Sequence, residues 1–356
     1  MKKNPVTKIT VVDLFCGIGG LTHGLIKEGL DVVAGIDCDS SCKFGYEYNN
    51  KAKFIGKDIL QVTADDIKRL FGENSGIRVL AGCAPCQPFS RLNPKKITQK
   101  QLQPLEKFAQ LIDEVEPDIV SMENVSGLAD QKKYPIFKTF LNTLERNGYK
   151  YKYEVVDVSE YGVPQKRKRL VLLASRFGDI ELIKRTHKDK RVTVRDVITG
   201  LEPLRDGETS ANDPLHRSRK LSPLNLKRMR ATPHDGGSSS SWSEELVLEC
   251  HKKESGKTYK GTVYGRMRWD EPAPTMTTQC TGIGNGRFGH PEQDRAISLR
   301  EAALFQTFPK DYQFFNPNKP IVMSDVSKFI GNAVPVRLGC IIAKSIKAHL
   351  KNYGNI

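Results

Sequence analysis

The sequence predicts an α/β protein: a doubly wound, mostly parallel sheet with a second, smaller, loop-rich domain. Two observations carry this. From residue 9 to residue 175, short β-rich runs alternate with helical patterns, the signature of parallel strands joined by crossover helices. From about 177 to 291 the alternation stops. Pro203, Pro214, Pro223, Pro233, Pro272 and Pro274 interrupt that stretch, as long functional loops or a loop-rich domain require. A chain of 356 residues suits about two domains and can bury a core without disulfide or metal staples.

In chain order, the β-rich runs place strands at 9–14, 32–36, 54–59, 79–82, 119–122, 151–158 and 170–175. Helical spacing places helices at 21–28, 40–49, 64–71, 105–115 and 136–146; Gly29 closes the first, Pro117 follows the fourth and Gly148 closes the fifth. Beyond the irregular stretch, helices are expected at 243–251, 298–307 and 336–352. The last carries Leu338, Ile341, Ile342, Ile346 and Leu350 roughly on one face, so it needs an apolar partner and is expected to pack back on the first sheet. The expected domains are 1–180, 181–324, and a segment 325–356 returning to the first.

Lysine and arginine total 56 against 41 acidic residues, a net charge of +15. Such a balance suits a polyanionic partner, with a solubilising Lys-rich surface as the plainer alternative. No run of about twenty apolar residues is present, so no membrane span is expected. The apolar segment 9–15 is broken by Asp13 and has no small-residue cleavage site, unlike a signal peptide. An intracellular, cytoplasmic protein is expected. In that setting the eight cysteines, at 16, 38, 42, 83, 86, 250, 280 and 340, form no disulfide framework. Cys38, Cys42, Cys83 and Cys86 can in principle supply four thiolates to zinc. Cys38 after a strand and Cys42 within a helix do not make the paired tight turns of a zinc knuckle, and no metal is expected.

Five places carry candidate chemistry. In Asp13-Leu14-Phe15-Cys16-Gly17-Ile18-Gly19-Gly20 a strand ends, glycines permit close backbone approach, and a helix begins, which suits an adenosine-containing ligand. The next strand ends at Asp37, whose carboxylate can take both ribose hydroxyls. Asp58 closes the third strand and can accept from an adenine amine. The plain alternative is an ordinary βα turn with solvated acids. The second place is Cys83-Ala84-Pro85-Cys86-Gln87-Pro88-Phe89-Ser90, a thiol on a loop after a strand. Alone it reads as readily as a redox Cys-x-x-Cys or a buried thiol as it does as a nucleophile. The third is Glu123-Asn124-Val125, again at a strand end. In the fourth, alternate residues Gln165, Arg167 and Arg169 of an extended segment are expected to share one face, and guanidinium forks suit carbonyl or phosphate oxygens. The fifth is Gly331-Asn332-Ala333-Val334-Pro335, a tight turn opening the last helix.

Together, and in this order, these motifs resemble the DNA (cytosine-5) methyltransferase family, in the bacterial restriction-modification or orphan form. Residues 13–20 look like its S-adenosylmethionine motif, Pro85-Cys86-Gln87 like its nucleophile motif and Glu123-Asn124-Val125 like its acid motif. Gln165-x-Arg167-x-Arg169 looks like its arginine motif, and residues 300–309 and 331–334 are similar to its two late motifs. The resemblance covers about 8–176 and 291–350. It implies an S-adenosylmethionine-dependent methyltransferase sheet with a target-recognition domain. It also implies a duplex-DNA substrate and, in the restriction-modification form, a cognate restriction endonuclease acting separately; a monomer is expected. It assigns Cys86 as the nucleophile, Glu123, Arg167, Arg169 and Gln165 as its catalytic company, and Cys83 as packing. Phe15, Gly17, Gly19, Gly20, Asp37, Cys38, Asp58, Ile59, Pro85, Asn332, Val334 and Asp13 would serve the cofactor. Cys38 departs from the family pattern, which often stacks a bulky aromatic on adenine there.

The loop 89–103, with Arg91, Lys95, Lys96 and Lys100, would close over the target base. Gln87, Ser90, Arg91, Arg217, Arg219, Lys220, Arg228, Arg230, Gly236 and Gly237 are expected at DNA. Two rivals stand beside this reading. One is an RNA methyltransferase on the same scaffold, against which the long variable region argues. The other is a catalytically silent DNA-binding homologue, against which Cys86, Glu123 and Arg167 argue.

Overall fold

The computed structural model describes residues 7–85, 98–253 and 261–354. They form two compact units. Met1–Val158, Lys168–Arg185 and Val334–Ile356 belong to the first, and Ser159–Arg167 and Thr186–Ala333 to the second.

The first unit is built on a seven-stranded sheet of β1 (Ile9–Leu14), β2 (Asp31–Asp37), β3 (Lys53–Gly56), β4 (Ile77–Gly82), β5 (Ile119–Val125), β6 (Lys150–Asp157) and β7 (Lys168–Ser175). The spatial order is β3-β2-β1-β4-β5-β7-β6. Strands β1 to β5 pair in parallel, whereas β7 runs antiparallel to both β5 and β6. The doubly wound, mostly parallel sheet is therefore observed. Every residue of β1 is buried, because helices cover both faces of such a sheet. The chain winds outward from β1 in one direction and from β4 in the other. The switch point thus falls at the carboxyl ends of these two strands, where open α/β sheets bind their ligands.

The crossover helices are α1 (Gly20–Lys27), α2 (Lys43–Asn50), α3 (Ala64–Phe71), α4 (Gln99–Val115) and α5 (Pro135–Arg146). Two expectations need correction. Helix α4 starts at Gln99, not 105, because a capping box between Thr98 and Gln101 begins it ahead of the first apolar residue. Lys100 is therefore helical and not part of a loop. Strand β3 ends at Gly56. Asp58 lies beyond it and caps a 3₁₀ turn, Ile59–Gln61, accepting the Leu60 amide at 3.0 Å.

The second unit contains α6 (Val194–Ile198), α7 (Pro223–Arg230), α8 (Glu249–Lys252), α9 (Leu299–Phe305) and α10 (Met323–Asn332). The helix expected over 243–251 is instead a 3₁₀ turn, Glu244–Leu246, then α8, because Val247 and Leu248 are extended between them. Buried guanidinium groups cross-tie these loops. The Arg266 side chain, with no exposed surface, donates to the carbonyls of Met229, Thr232, His290 and Gln293. Arg295 grips Glu301 through two bonds of 2.8 Å. Burial alone would raise the Glu301 carboxyl, but the Arg295 charge and hydrogen bonds overcome it and hold the group at about 2.

The C-terminal helix α11 (Val336–Asn352) belongs to the first unit, packs on α1, and meets the sheet through His349 Nε2, 2.7 Å from Ser175 Oγ at the end of β7. The backbones approach so closely that a Cβ on Gly24 would stand 2.3 Å from the Val336 carbonyl oxygen. The one stretch long and apolar enough to cross a bilayer among the described residues is Met323–Asn352. It is broken at Ala333–Pro335 into α10 and α11, and 83% of its most apolar window is buried.

Candidate active site

The turn after β1 is shaped by three residues with positive φ: Phe15 (59°), Gly17 (49°) and Gly19 (93°). Phe15 adopts that conformation despite its side chain, a strain that clusters at ligand-binding turns; its ring meets Phe108 edge-on. Gly17 donates its amide to Asp37 Oδ2 at 2.8 Å, and the other Asp37 oxygen accepts the Asp39 amide at 2.8 Å. The carboxylate at the end of β2 thus braces the turn at the end of β1. Gly19 caps α1 with no side-chain hydrogen bond, and a Cβ on Gly17 would meet nothing within 4 Å. A helix start without a side-chain cap, beside the open space at Gly17, suits an anionic group such as the carboxylate of an amino-acid-like ligand. Gly20 opens α1 and is buried. Ile59 joins the core, and Cys38 and Asp58 are exposed.

Asp13 faces inward. It is 1% exposed, its Oδ2 accepts the Thr22 hydroxyl at 2.6 Å, and Thr22 also meets the Tyr46 hydroxyl at 3.1 Å. Asp13 Oδ1 is buried without a hydrogen-bond partner. Burial, with a smaller contribution from the Asp37 charge, lifts the Asp13 carboxyl to about 7. Asp13 supports the turn from below rather than lining it.

A second cluster forms where β4 and β5 end. Gly82 lies opposite Met122 in the parallel β4–β5 register, and on its other side the Cys83 amide extends the β1–β4 pairing by donating to the Leu14 carbonyl at 3.2 Å. One residue beyond the last β4–β5 pair stand Cys83 and Glu123. The Cys83 thiol donates to Glu123 Oε2 at 2.7 Å. On the other side, Val125 opposes Arg169 and Glu123 opposes Val171 in the antiparallel β5–β7 register. That diagonal brings Arg169 Nε to 3.0 Å from Glu123 Oε1. The Glu123 side chain is 3% exposed and that of Arg169 12%. Asn124, fully buried, donates from Nδ2 to the Ala84 carbonyl at 3.1 Å and ties the outgoing β4 loop to β5. Pro85 is exposed. Cys86, Gln87, Ser90 and Arg91, with Lys95 and Lys96, lie outside the described residues.

Of the face expected for Gln165, Arg167 and Arg169, the first two share one buried setting, where both reach Met276, while Arg169 belongs to the first unit. Strand β7 begins only at Lys168, so the alternation rule does not run through the whole segment. Gln165 and Arg167 belong to the second unit and are buried there. Gln165 donates to the carbonyl of Phe305 and accepts the Met276 amide. Arg167 donates to the carbonyls of Met276 at 2.8 Å, Gly331 at 3.3 Å and Ala333 at 3.5 Å. Asn332 is the exposed last residue of α10, while Val334, in the first unit, is buried ahead of α11.

In the second unit Arg219, Lys220 and Arg230 are exposed and Arg217 is half-buried. Arg228 is not available at the surface. Its guanidinium donates to the Leu246 carbonyl at 2.9 Å and lies over the rings of Trp242 and Tyr264. Gly236, at φ 94°, and Gly237 are half-buried, with no room for a Cβ against Arg268 and the Pro233 carbonyl respectively. Sequence reasoning missed the carboxylate partner of Cys83, the brace made by Asn124, and the Thr22–Tyr46 support of Asp13. Only the period-two alignment of neighbouring strand ends signals the first of these.

A family model described as C-5 cytosine-specific DNA methylase matches residues 9–348. The Type II methylase M.HgiDII of Herpetosiphon aurantiacus is 52% identical over 342 residues, covering 96% of each protein. The Type II methyltransferase M.Eco47II of Escherichia coli is 30% identical over 95% of this chain and 78% of its own length. Among solved structures, a DNA modification methyltransferase encoded within an E. coli prophage superposes with a TM-score of 0.74 at 20% identity, over 97% of this chain and 100% of that one. Spodoptera frugiperda DNMT2 gives 0.66, also at 20%, over 96% and 100%. At that identity the likeness speaks for the fold.

Proposed function

The chain belongs to the C-5 cytosine-specific DNA methylase family, and from that premise we propose that it methylates a flipped-out cytosine in duplex DNA through a covalent Cys86 adduct. Membership makes it a methyltransferase acting on C5 of cytosine with S-adenosylmethionine. The observation that carries the finer reading is Glu123, a nearly buried carboxylate held by Arg169 at the end of β5. The neighbouring strand, β4, leads into Cys86.

Bound S-adenosylmethionine supplies an electrophilic methyl group. The turn at Phe15, Gly17 and Gly19, the start of α1 and the Asp37 carboxylate would hold it, with Cys38, Asp58, Ile59, Pro85, Asn332 and Val334 as further candidates. Cytosine C5 is a weak nucleophile. Attack of the Cys86 thiolate on C6 forms an S–C6 bond and leaves C5 carbanion-like, able to accept the methyl. Glu123 holds N3 and the exocyclic amine while the ring loses aromaticity, and Arg169 orients Glu123 and faces the base's O2. Removal of the C5 proton then expels Cys86 and restores the ring. The base cannot react inside the stack, so it is extruded at a cost of a few kcal/mol. Contacts of Arg219, Lys220 and Arg230 with phosphates, together with Arg217, Gln87, Ser90, Arg91 and the Gly236-Gly237 turn, offset that cost. The enzyme works as a monomer in the cytoplasm, either beside a separately acting restriction endonuclease or as an orphan methyltransferase.

DNA carrying 5-fluorocytosine blocks the proton-removal step and should trap the protein covalently. No adduct, or one that persists in Cys86→Ala, would remove Cys86 from the mechanism. Bisulfite sequencing of DNA from an expressing host should reveal methylated cytosine in one sequence context. Unmethylated DNA alongside methylated RNA would overturn the substrate.

A further inference from the structure

The reaction as written leaves one thiol at the site without a task. Cys83 stands beside Glu123 because β4 and β5 are parallel and in register at Gly82 and Met122, so the next side chains along the ladder are lateral neighbours. Its Sγ–H donates to Glu123 Oε2 at 2.7 Å, while Arg169 Nε lies 3.0 Å from Oε1. One carboxylate oxygen thus accepts a hydrogen bond from Cys83, and the other is ion-paired with Arg169 without a hydrogen bond.

We propose that Cys83 is a positioning residue that orients the Glu123 carboxylate for the target base. The inference rests on Glu123 being the base-holding acid. The terminal torsion of a glutamate is broad and two-fold. With Arg169 alone, the carboxylate plane can turn about the oxygen that Arg169 holds. A hydrogen-bond donor on the other oxygen fixes the plane, and each oxygen retains a lone pair for the base. A thiol suits this task because it is neutral. It adds no second positive charge that would compete with the base for the carboxylate, and it is small enough to stand at a strand end. Only Glu123 would touch the base; Cys83 acts through it. Loss of the donor loosens the geometry of a group that must be placed to within a fraction of an ångström.

The test is a double-mutant cycle of Cys83→Ala with Glu123→Gln, followed by single-turnover methylation at saturating S-adenosylmethionine. Cys83→Ala should slow turnover about tenfold and leave KM for DNA within about twofold, while Cys83→Ser, which keeps a donor, restores most of the rate. In the Glu123→Gln background the same Cys83→Ala change should cost less than about twofold, since its effect runs through the carboxylate. Should Cys83→Ala lower the melting temperature by more than about 5 °C, Cys83→Val, which fills the volume without donating, takes its place. The proposal is overturned by a rate within twofold of wild type, by equal loss in both backgrounds, or by a serine variant as slow as the alanine. A fully active Glu123→Gln enzyme would overturn the reading of Glu123 itself. An inactive Glu123→Gln beside a fully active Cys83→Ala removes only Cys83.

Discussion

Arg167 and Arg169 lie two residues apart in one motif, yet the structure gives them different surroundings, and their substitutions should separate cleanly. Arg167 is 4% exposed and its fork spans carbonyls of Met276 and Gly331, with a longer approach to Ala333. Removing it leaves at least two buried carbonyl oxygens without that donor. Hydrogen bonds from a charged donor contribute roughly 1.5–3 kcal/mol each, so Arg167→Ala should cost the second unit about 4 kcal/mol. Arg167→Lys keeps the charge but replaces the fork by a point donor, and should cost about half as much. Both tryptophans, Trp242 and Trp269, lie in the second unit, so their fluorescence reports its unfolding. With a urea dependence of about 2 kcal/mol per molar, the midpoint should fall by about 2 M in Arg167→Ala and about 1 M in Arg167→Lys. Arg169→Ala should leave that tryptophan transition almost unmoved, because Arg169 belongs to the other unit, and should abolish methylation. An Arg167→Ala protein with an unshifted midpoint and no activity would refute this assignment and make Arg167 a substrate contact.

Other expected outcomes follow from burial and charge. Asp13 is buried with its carboxyl at about 7 against an ordinary 3.8, so its contribution to stability is fully present below pH 4 and declines as pH rises to 7. The full difference corresponds to about 4 kcal/mol as an upper bound. Urea midpoints of Asp13→Asn should lack this decline between pH 4 and 7, and parallel curves would contradict it. Gly24→Ala would press a methyl group into the Val336 carbonyl and should destabilise the α1–α11 packing by about 2–3 kcal/mol, lowering the melting temperature by several degrees. DNA affinity should fall steeply with salt, and Arg219→Ala and Lys220→Ala should each flatten that slope by about one. Arg228→Ala should instead lower the urea midpoint and leave the salt slope unchanged, since its guanidinium is buried against Trp242.

What the sequence determined by itself was mostly local. Alternating strand and helix signals, Gly17 and Gly19 in a turn, Asp37 at a strand end and Glu123 at another all follow from chain-neighbour chemistry, and the ordered motifs pointed to the family. Local signals also misled where a polar cap outran the apolar pattern, as Thr98 does for α4. The tertiary structure decided matters that depend on residues far apart in the chain. Sheet register, not motif spacing, brought Cys83 to Glu123 across forty residues. The late start of β7 put Arg167 among buried carbonyls and Arg169 on Glu123. Folding of the loop-rich unit buried Arg228 under Trp242 and Tyr264 while Arg219 and Lys220 stayed exposed. An arginine is equally cationic in every setting. Whether it meets a phosphate, a carboxylate or a buried carbonyl is set by what the rest of the chain folds against it.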